Sequence, residues 1–443
     1  MGSTVSTLRH PERMFYGWRM LALVSLMGAL NNGFASKGAT LFLIPVETSL
    51  GLSRATASLI FSLARSEGAF GGPAVGYLVD RFGTKRTLVV GTIMAGAGFI
   101  IFATASNIWI FAVAYMLFIS FGATMAFSDA TPALVNKWFN RFRVRAMAIR
   151  EAAGSLGSTI LIPVMVLVIA AYSWRAVAIV AAISYLVIIL PLSRFIKESP
   201  ESMGLLPDGV TSDEVASAPE ADAQRQSPSV ARGASYLNQV DFSVKEALST
   251  SAYWSLLAGT MFRQMAKAGV EVQLIAIFQW RGLDAATAGL IFALWVGVNV
   301  PSKLLFGYFA DRVPKQISLS GGMLLNLLAL VLLLTAHGTW LIVLAAVIGG
   351  TSEGITPINW GAVGDYFGRR HYATLRGIIT LSYSWAWLVM PFGSGWWFDH
   401  HSSYTVPLIV ASTAAVVSAA AYASIRRPKP PTRLVAVPDV VET

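Results

Sequence analysis

Eleven ionisable side chains lie within stretches that are otherwise strongly apolar: Lys37, Arg65, Glu67, Asp129, Arg150, Glu151, Arg263, Lys267, Glu271, Lys303 and Glu353. A charge at the middle of a membrane-spanning helix costs about 2.5–3.5 kcal/mol on insertion scales, so each position is a candidate for binding, coupling or pairing. Lys303 is the sharpest. A fixed buried ammonium suits an anionic ligand, because the anion compensates a charge that is otherwise expensive to bury. It offers a point charge rather than the two-pronged fork of an arginine. Asn299, one turn earlier, can hydrogen-bond but cannot titrate. Lys37 and Lys267 are two further cations open to the same anion. Arg263, Lys267 and Glu271 recur every fourth residue on one helical face, where Lys267 and Glu271 can pair. Glu67 and Glu353, or Lys37 with a depressed pKa, could carry a proton. Arg65 and Glu67 are separated by about 200° around a helix, so each needs a partner elsewhere. The stretch Ser382-Tyr383-Ser384-Trp385-Ala386-Trp387 offers hydroxyl and aromatic groups to a partly apolar ligand, with Tyr383 as the candidate contact. Arg150 and Glu151 lie near a helix end, and the simplest reading has them reaching the interface.

The elements that must hold these residues follow from composition. Of 443 residues, 55% are hydrophobic and only 13% charged, against roughly 25% charged in soluble domains. Such a chain could not cover a water-exposed surface, so the soluble classes are excluded. The net charge of +10 is accounted for by basic residues gathered on one side of a membrane, not by nucleic acid. With no cysteine, thiol chemistry and Cys-built metal sites are excluded. No nucleotide loop, metal cluster or catalytic triad is visible, so neither cofactor nor enzymatic activity is expected. Gly122, Gly154, Gly157, Gly349 and Gly350 suit close helix contacts.

Apolar runs of spanning length fall near residues 18–46, 55–78, 86–105, 108–135, 145–171 and 174–195, then 250–279, 284–309, 316–336, 339–364, 373–397 and 404–425. The run after Trp18 is too long for a cleaved signal peptide. The fold class expected is an all-α membrane protein: twelve transmembrane helices in two pseudo-symmetric six-helix bundles. The corresponding units are 1–197, a flexible cytoplasmic linker 198–245, a second bundle 246–427 and a tail 428–443. Alternate loops hold Arg81, Lys85 and Arg86; Lys137, Arg141, Arg143 and Arg145; Arg312 and Lys315; Arg369 and Arg370. The opposite loops hold only Arg54, Arg175 and Arg281. By the positive-inside rule both termini are then cytoplasmic. The halves also repeat: Gly76-Tyr77-Leu78-Val79-Asp80-Arg81 matches Gly307-Tyr308-Phe309-Ala310-Asp311-Arg312, and Lys137-Trp138-Phe139-Asn140-Arg141 parallels Asp365-Tyr366-Phe367-Gly368-Arg369. Two such repeats suggest bundles facing each other across a central site.

The stretch Gly76 to Arg86, GYLVDRFGTKR, resembles the loop signature of the major facilitator superfamily, G-x-L-x-D-R-x-G-R-R. That resemblance covers almost the whole chain and implies gating roles for Asp80, Arg81 and Arg86: Asp80 would meet a helix end or an arginine in the outward-open state. The second copy reads Val313-Pro314-Lys315-Gln316 in place of Gly-x-Arg-Arg. A narrower resemblance is to the monocarboxylate transporters and their bacterial relatives, including oxalate:formate exchangers. It rests on Tyr16-Gly17-Trp18, on Gly33-Phe34-Ala35-Ser36-Lys37, on Asn299-Val300-Pro301-Ser302-Lys303, and on Ser199-Pro200-Glu201 with Gly204-Leu205-Leu206-Pro207-Asp208-Gly209. Many members carry Asp and Arg where this chain has Asn299 and Lys303. The lysine that oxalate exchangers carry on the eleventh helix is absent.

The expectation is therefore a monomeric secondary transporter in a bacterial inner membrane. It takes up a small organic monocarboxylate, with a proton as coupling ion and lipid as its surroundings. Lys303, Asn299, Lys37, Lys267 and Tyr383 would contact substrate, and Glu353, Glu67, Asp80, Arg81 and Arg86 would serve coupling or gating. The alternatives are an organic-anion or dicarboxylate exchanger, an exporter of drugs or hydrophobic compounds on the same fold, and a transporter-like sensor.

Overall fold

In a bilayer, backbone N–H and C=O groups find no water, so a chain this apolar satisfies them within helices. The computed structural model describes residues 15–52, 60, 63–64, 71–209, 241–310, 312–335 and 338–429. Its first half contains α1 (Tyr16–Asn31, continued by Asn32–Ser36, Gly38–Phe42 and Leu43–Leu50). There follow α2 (described over Gly72–Phe82), α3 (Thr84–Ala103), α4 (Ile108–Trp138), α5 (Arg143–Ala171) and α6 (Trp174–Phe195). The second half has α7 (Ser251–Glu271, continued by Leu274–Trp280), α8 (Ala285–Phe309), α9 (Lys315–Thr335), α10 (Thr339–Phe367), α11 (Tyr372–His401) and α12 (Thr405–Ala423). The six-plus-six architecture is thus the one expected.

Among the described residues, eight helices are each long and apolar enough to cross a membrane: α3–α6, α8–α10 and α12. The remaining helices depart for identifiable reasons. α1 widens into a π-type turn at Asn32–Ser36 and breaks at Lys37. α7 carries Arg263, Lys267 and Glu271, and α11 is rich in serine and aromatic residues. The described part of α2 is short. The unbroken α-helical part of α1 is 16 residues long, and the charged side chains of α7 lower its hydropathy. Exposed aromatic residues mark the two membrane interfaces: Trp109, Tyr172 and Trp340 at one end, and Tyr77, Phe82, Tyr308 and Phe309 at the other, basic end.

The halves meet through α2 against α11 and through α5 against α8 and α10. The α2–α11 approach is possible because both helices carry glycine at the crossing. A Cβ on Gly76 would lie 2.3 Å from the Ala373 carbonyl oxygen, and one on Gly377 would lie 2.3 Å from that of Gly72.

The linker expectation needs correcting at its ends. Residues 198–209 are folded onto the basic end. The Glu198 carboxylate accepts the Thr84 and Lys85 amides, both at 2.9 Å, and Lys137 Nζ at 2.5 Å. The Asp208 carboxylate accepts the Asn140 and Arg141 amides at 3.3 and 2.7 Å. Asp241 likewise accepts the Arg369 and Arg370 amides. These carboxylates find unpaired backbone donors at helix starts and loops, which a low apolar content does not reveal. The middle of the linker lies outside the described residues.

Candidate functional site

α7 and α10 build one buried charge cluster. Their apolar stretches span the membrane, and the fourfold spacing on α7 aims Arg263, Lys267 and Glu271 along one side. Glu353 on α10 meets them: Oε2 accepts Lys267 Nζ at 2.6 Å and Arg263 Nη2 at 3.3 Å. Arg263 also donates to Thr356 Oγ1 at 2.5 Å. Lys267 pairs with Glu271 at 3.3 Å along its own helix. Glu271 in turn faces Lys37 at 3.5 Å, and Lys37 belongs to α1 of the other half. The break in α1 places Lys37 at that junction, with 60% of its side chain exposed. Arg263 and Lys267 thus both have acid partners within the protein: they share Glu353, and Lys267 also meets Glu271.

Lys303 is held differently. It is buried on α8, and its Nζ donates to Ser155 Oγ on α5 at 3.1 Å, across the interface between the halves. Among the described residues no carboxylate oxygen lies within 4.0 Å of it. Glu151, Lys267, Glu353 and Lys37 are its electrostatic neighbours. Asn299 stands one turn away on α8, and its buried Oδ1 has no hydrogen-bond partner. Among the described residues, the result is a buried cation hydrogen-bonded to one hydroxyl, beside an amide oxygen without a partner.

Arg150 and Glu151, expected at the interface, are internal. Arg150 donates to Thr131 Oγ1 at 2.9 Å, to the Phe127 carbonyl at 2.8 Å and to Glu151 at 2.5 Å, fastening α5 to α4. A full-length arginine can reach the neighbouring helix's carbonyls, so pairing replaces snorkelling. Asp129 on α4 finds Arg376 on α11 at 2.8 Å, with both side chains under one tenth exposed. Arg376 also donates to the Ser128 carbonyl and lies 4.5 Å over the Trp360 ring. Tyr383 is two turns along α11 from Arg376, half-buried.

At the basic end, further contacts cross between the halves. Asp80 meets a helix end: its carboxylate accepts the Ala373 and Thr374 amides at 3.3 and 2.8 Å and Thr374 Oγ1 at 2.6 Å, capping the start of α11. A carboxylate there is favoured by unpaired amides and the helix dipole. Arg143, fully buried at the start of α5, pairs with Asp365 at the end of α10, and Lys315 pairs with the same carboxylate. Arg369 donates to the Lys137 carbonyl at 2.9 Å and pairs with Glu201 at 2.9 Å. Arg81 instead turns back on Tyr77 of its own helix, at 2.8 Å. Arg86 is exposed, with no partner among the described residues. Glu67 and Arg65 lie outside the described residues. Toward the opposite end, Lys37 and Glu271 pair across the halves, with 60% and 24% of their side chains exposed.

The sequence model of the Major Facilitator Superfamily matches residues 23–262 and 246–439. The chain belongs to that superfamily. It is similar to human monocarboxylate transporter 11, with 24% identity over 81% of this chain and 72% of the relative. A shorter stretch of 105 residues is 35% identical to the riboflavin transporter RibJ of Trypanosoma brucei brucei, covering 24% of this chain and 19% of that one. The crystal structure of FucP in the outward conformation superposes with a TM-score of 0.68 at 14% identity, covering 92% of this chain and 99% of that chain. The protein is therefore an integral membrane transporter of the Major Facilitator Superfamily rather than an enzyme.

Within this superfamily architecture, Lys37, Lys267, Lys303, Asn299 and Glu353 come together between the halves, while Asp80, Arg81 and Arg86 sit at the basic end. Arg376, Ser155 and Glu151 were missed or discounted as site residues. Arg376 is four residues from the start of α11 and reads as an end residue. Asp129 was the available signal, since a mid-span carboxylate requires a cation somewhere.

Proposed function

We propose that this transporter carries a small organic monocarboxylate by alternating access, with the substrate carboxylate bound at Lys303 between the two halves. The observation that carries the reading is Lys303 itself: a buried ammonium with a serine hydroxyl as its hydrogen-bond partner and no carboxylate within 4.0 Å among the described residues. The sign of the surrounding charge supports an anion. Among the described residues, Lys37, Arg150, Arg263, Lys267, Lys303 and Arg376 stand against Asp129, Glu151, Glu271 and Glu353, an excess of two cations. An exporter of cationic compounds calls for the opposite excess. Similarity to a monocarboxylate transporter over most of the chain agrees with this choice.

In this reading the basic end is cytoplasmic in a bacterial inner membrane, and the contacts of Asp80, Arg376 and Arg143 keep it closed while the site opens outward. Asn299 and Tyr383 line the substrate's path, and Lys37 guards the outer side. Asn299 cannot titrate, so a coupling proton would travel on Glu353, Glu67 or Lys37. A role for Glu353 requires it to release Lys267 or Arg263 during the cycle. The test is uptake of radiolabelled carboxylates into proteoliposomes. Lys303→Gln is expected to abolish uptake and remove the thermal stabilisation by the same acid, while Arg175→Gln keeps both. Unchanged uptake by Lys303→Gln would overturn the assignment.

A further inference from the structure

The basic rim between α5 and α8 carries an arrangement that the transport reading does not use. Arg141 lies 5.2 Å from the centre of the Phe142 ring, and Arg145 lies 5.4 Å from the centre of the same ring. Arg145 is also 4.7 Å over the Tyr308 ring and donates to the Tyr308 carbonyl at 3.5 Å. Arg312 completes the series, 5.1 Å over Tyr308 and 3.4 Å from its hydroxyl. Guanidinium and aromatic groups thus alternate in a continuous ladder that starts on the first half and ends on the second. Arg141 and Arg312, at the two ends of the ladder, are exposed, so their guanidinium N–H donors are accessible to phosphate oxygens. Arg141 and Arg312 have no carboxylate within 4.0 Å among the described residues.

The position of the ladder selects the ligand. Tyr308 and Phe309 are about half exposed, and one turn earlier on the same helix Leu304 and Leu305 are exposed at 42% and 57%. Ile149 on α5 is exposed at a similar level. Apolar surface of this kind on a spanning helix faces acyl chains, and the arginines lie just past its end, at headgroup depth.

We propose that the Arg141–Phe142–Arg145–Tyr308–Arg312 ladder binds the phosphodiester of an anionic phospholipid, whose acyl chains lie along Leu304 and Leu305. Because the ladder spans both halves, the bound headgroup joins α5 to α8 and favours the state in which this end is closed.

The test is titration of the purified full chain with phosphatidylglycerol, read by native mass spectrometry and by thermal shift, with phosphatidylcholine as the neutral comparison. Phosphatidylglycerol is expected to bind and stabilise, and phosphatidylcholine to do neither. Arg141→Gln/Arg312→Gln is expected to weaken phosphatidylglycerol binding at least tenfold. Arg312→Lys, which keeps the charge and loses the guanidinium fork, is expected to weaken it by a few-fold. Arg175→Gln, which removes an arginine stacked on Trp174 at the opposite end, should bind as the wild type does. Equal binding of the two lipids, or undiminished binding by the double variant, would overturn the proposal. So would an equal stabilisation by inorganic phosphate, which would make this a soluble-phosphate site. The variants' melting temperatures in phosphatidylcholine verify that they are folded.

Discussion

The Arg376–Asp129 pair allows a quantitative test of how the basic end is held closed. The two residues are 247 positions apart and join α11 to α4, so any opening of this end must separate them. The pair is buried on both sides, and Arg376 also gives up its Ser128 carbonyl when the helices part. Removing one member of a buried pair costs about 3–5 kcal/mol, because the other is left uncompensated. That cost falls on the closed state alone. At about 1.4 kcal/mol per decade, a cost near 4 kcal/mol shifts the open-to-closed ratio by roughly a thousandfold. The chain has no cysteine, so a single reporter can be introduced cleanly. Val144 on α5 is 1% exposed and packs against Gly361 of the other half. Val144→Cys should react with a water-soluble maleimide only when this end opens. In that background Arg376→Met should raise the labelling rate by two to three decades, up to the ceiling set by full opening. Arg376→Met/Asp129→Leu, which removes both charges, should recover most of the loss. An increase of less than about tenfold, or a double variant labelled as fast as the single one, would refute the reasoning.

Other outcomes follow from the same contacts. Gly76→Val should speed Val144→Cys labelling and lower the melting temperature, because its Cβ meets the Ala373 carbonyl at 2.3 Å; Gly28→Ala, with nothing within 4 Å, should do neither. Glu353→Gln should cost about 3–5 kcal/mol in chemical denaturation, since Arg263 and Lys267 both lose their buried acid. For Glu198, burial pushes the carboxyl up, but Lys137 and the Lys85 and Thr84 amides outweigh it and hold the group below the ordinary carboxylate range. Its contribution is therefore fully present above the ordinary value of about 4.3 and is lost only as pH falls through the lower folded-state value. The melting-temperature difference between wild type and Glu198→Gln should stay constant from about pH 8 to pH 5.5 and shrink in stronger acid.

Much of the site was legible as residue types and little of it as partnerships. The fourfold spacing of Arg263, Lys267 and Glu271 gave a shared face and one intrahelical pair, which the structure contains at 3.3 Å. The same spacing could not show that Glu353 neutralises Arg263 and takes Lys267 as well. Asp80 was readable as a cap in search of a helix, but the helix it caps begins 292 residues later, at Tyr372. Arg376 was hidden because distance from a helix end is a poor measure of depth when the end itself is packed against another bundle.

The amino-acid sequence by itself determined the number and placement of the spanning helices, their pairing into two repeats and the asymmetry of basic loops. Hydropathy acts over some twenty consecutive residues, and a bilayer leaves helices as the way to satisfy that backbone. Only the tertiary structure decided which charges cancel. Ion pairing depends on separations of a few ångström between helices hundreds of residues apart, and on which side chains the halves bring into register. That register leaves Lys303 with Ser155, leaves Asn299 unengaged, commits Arg376 to Asp129, and lines up the arginines of two different halves along one rim.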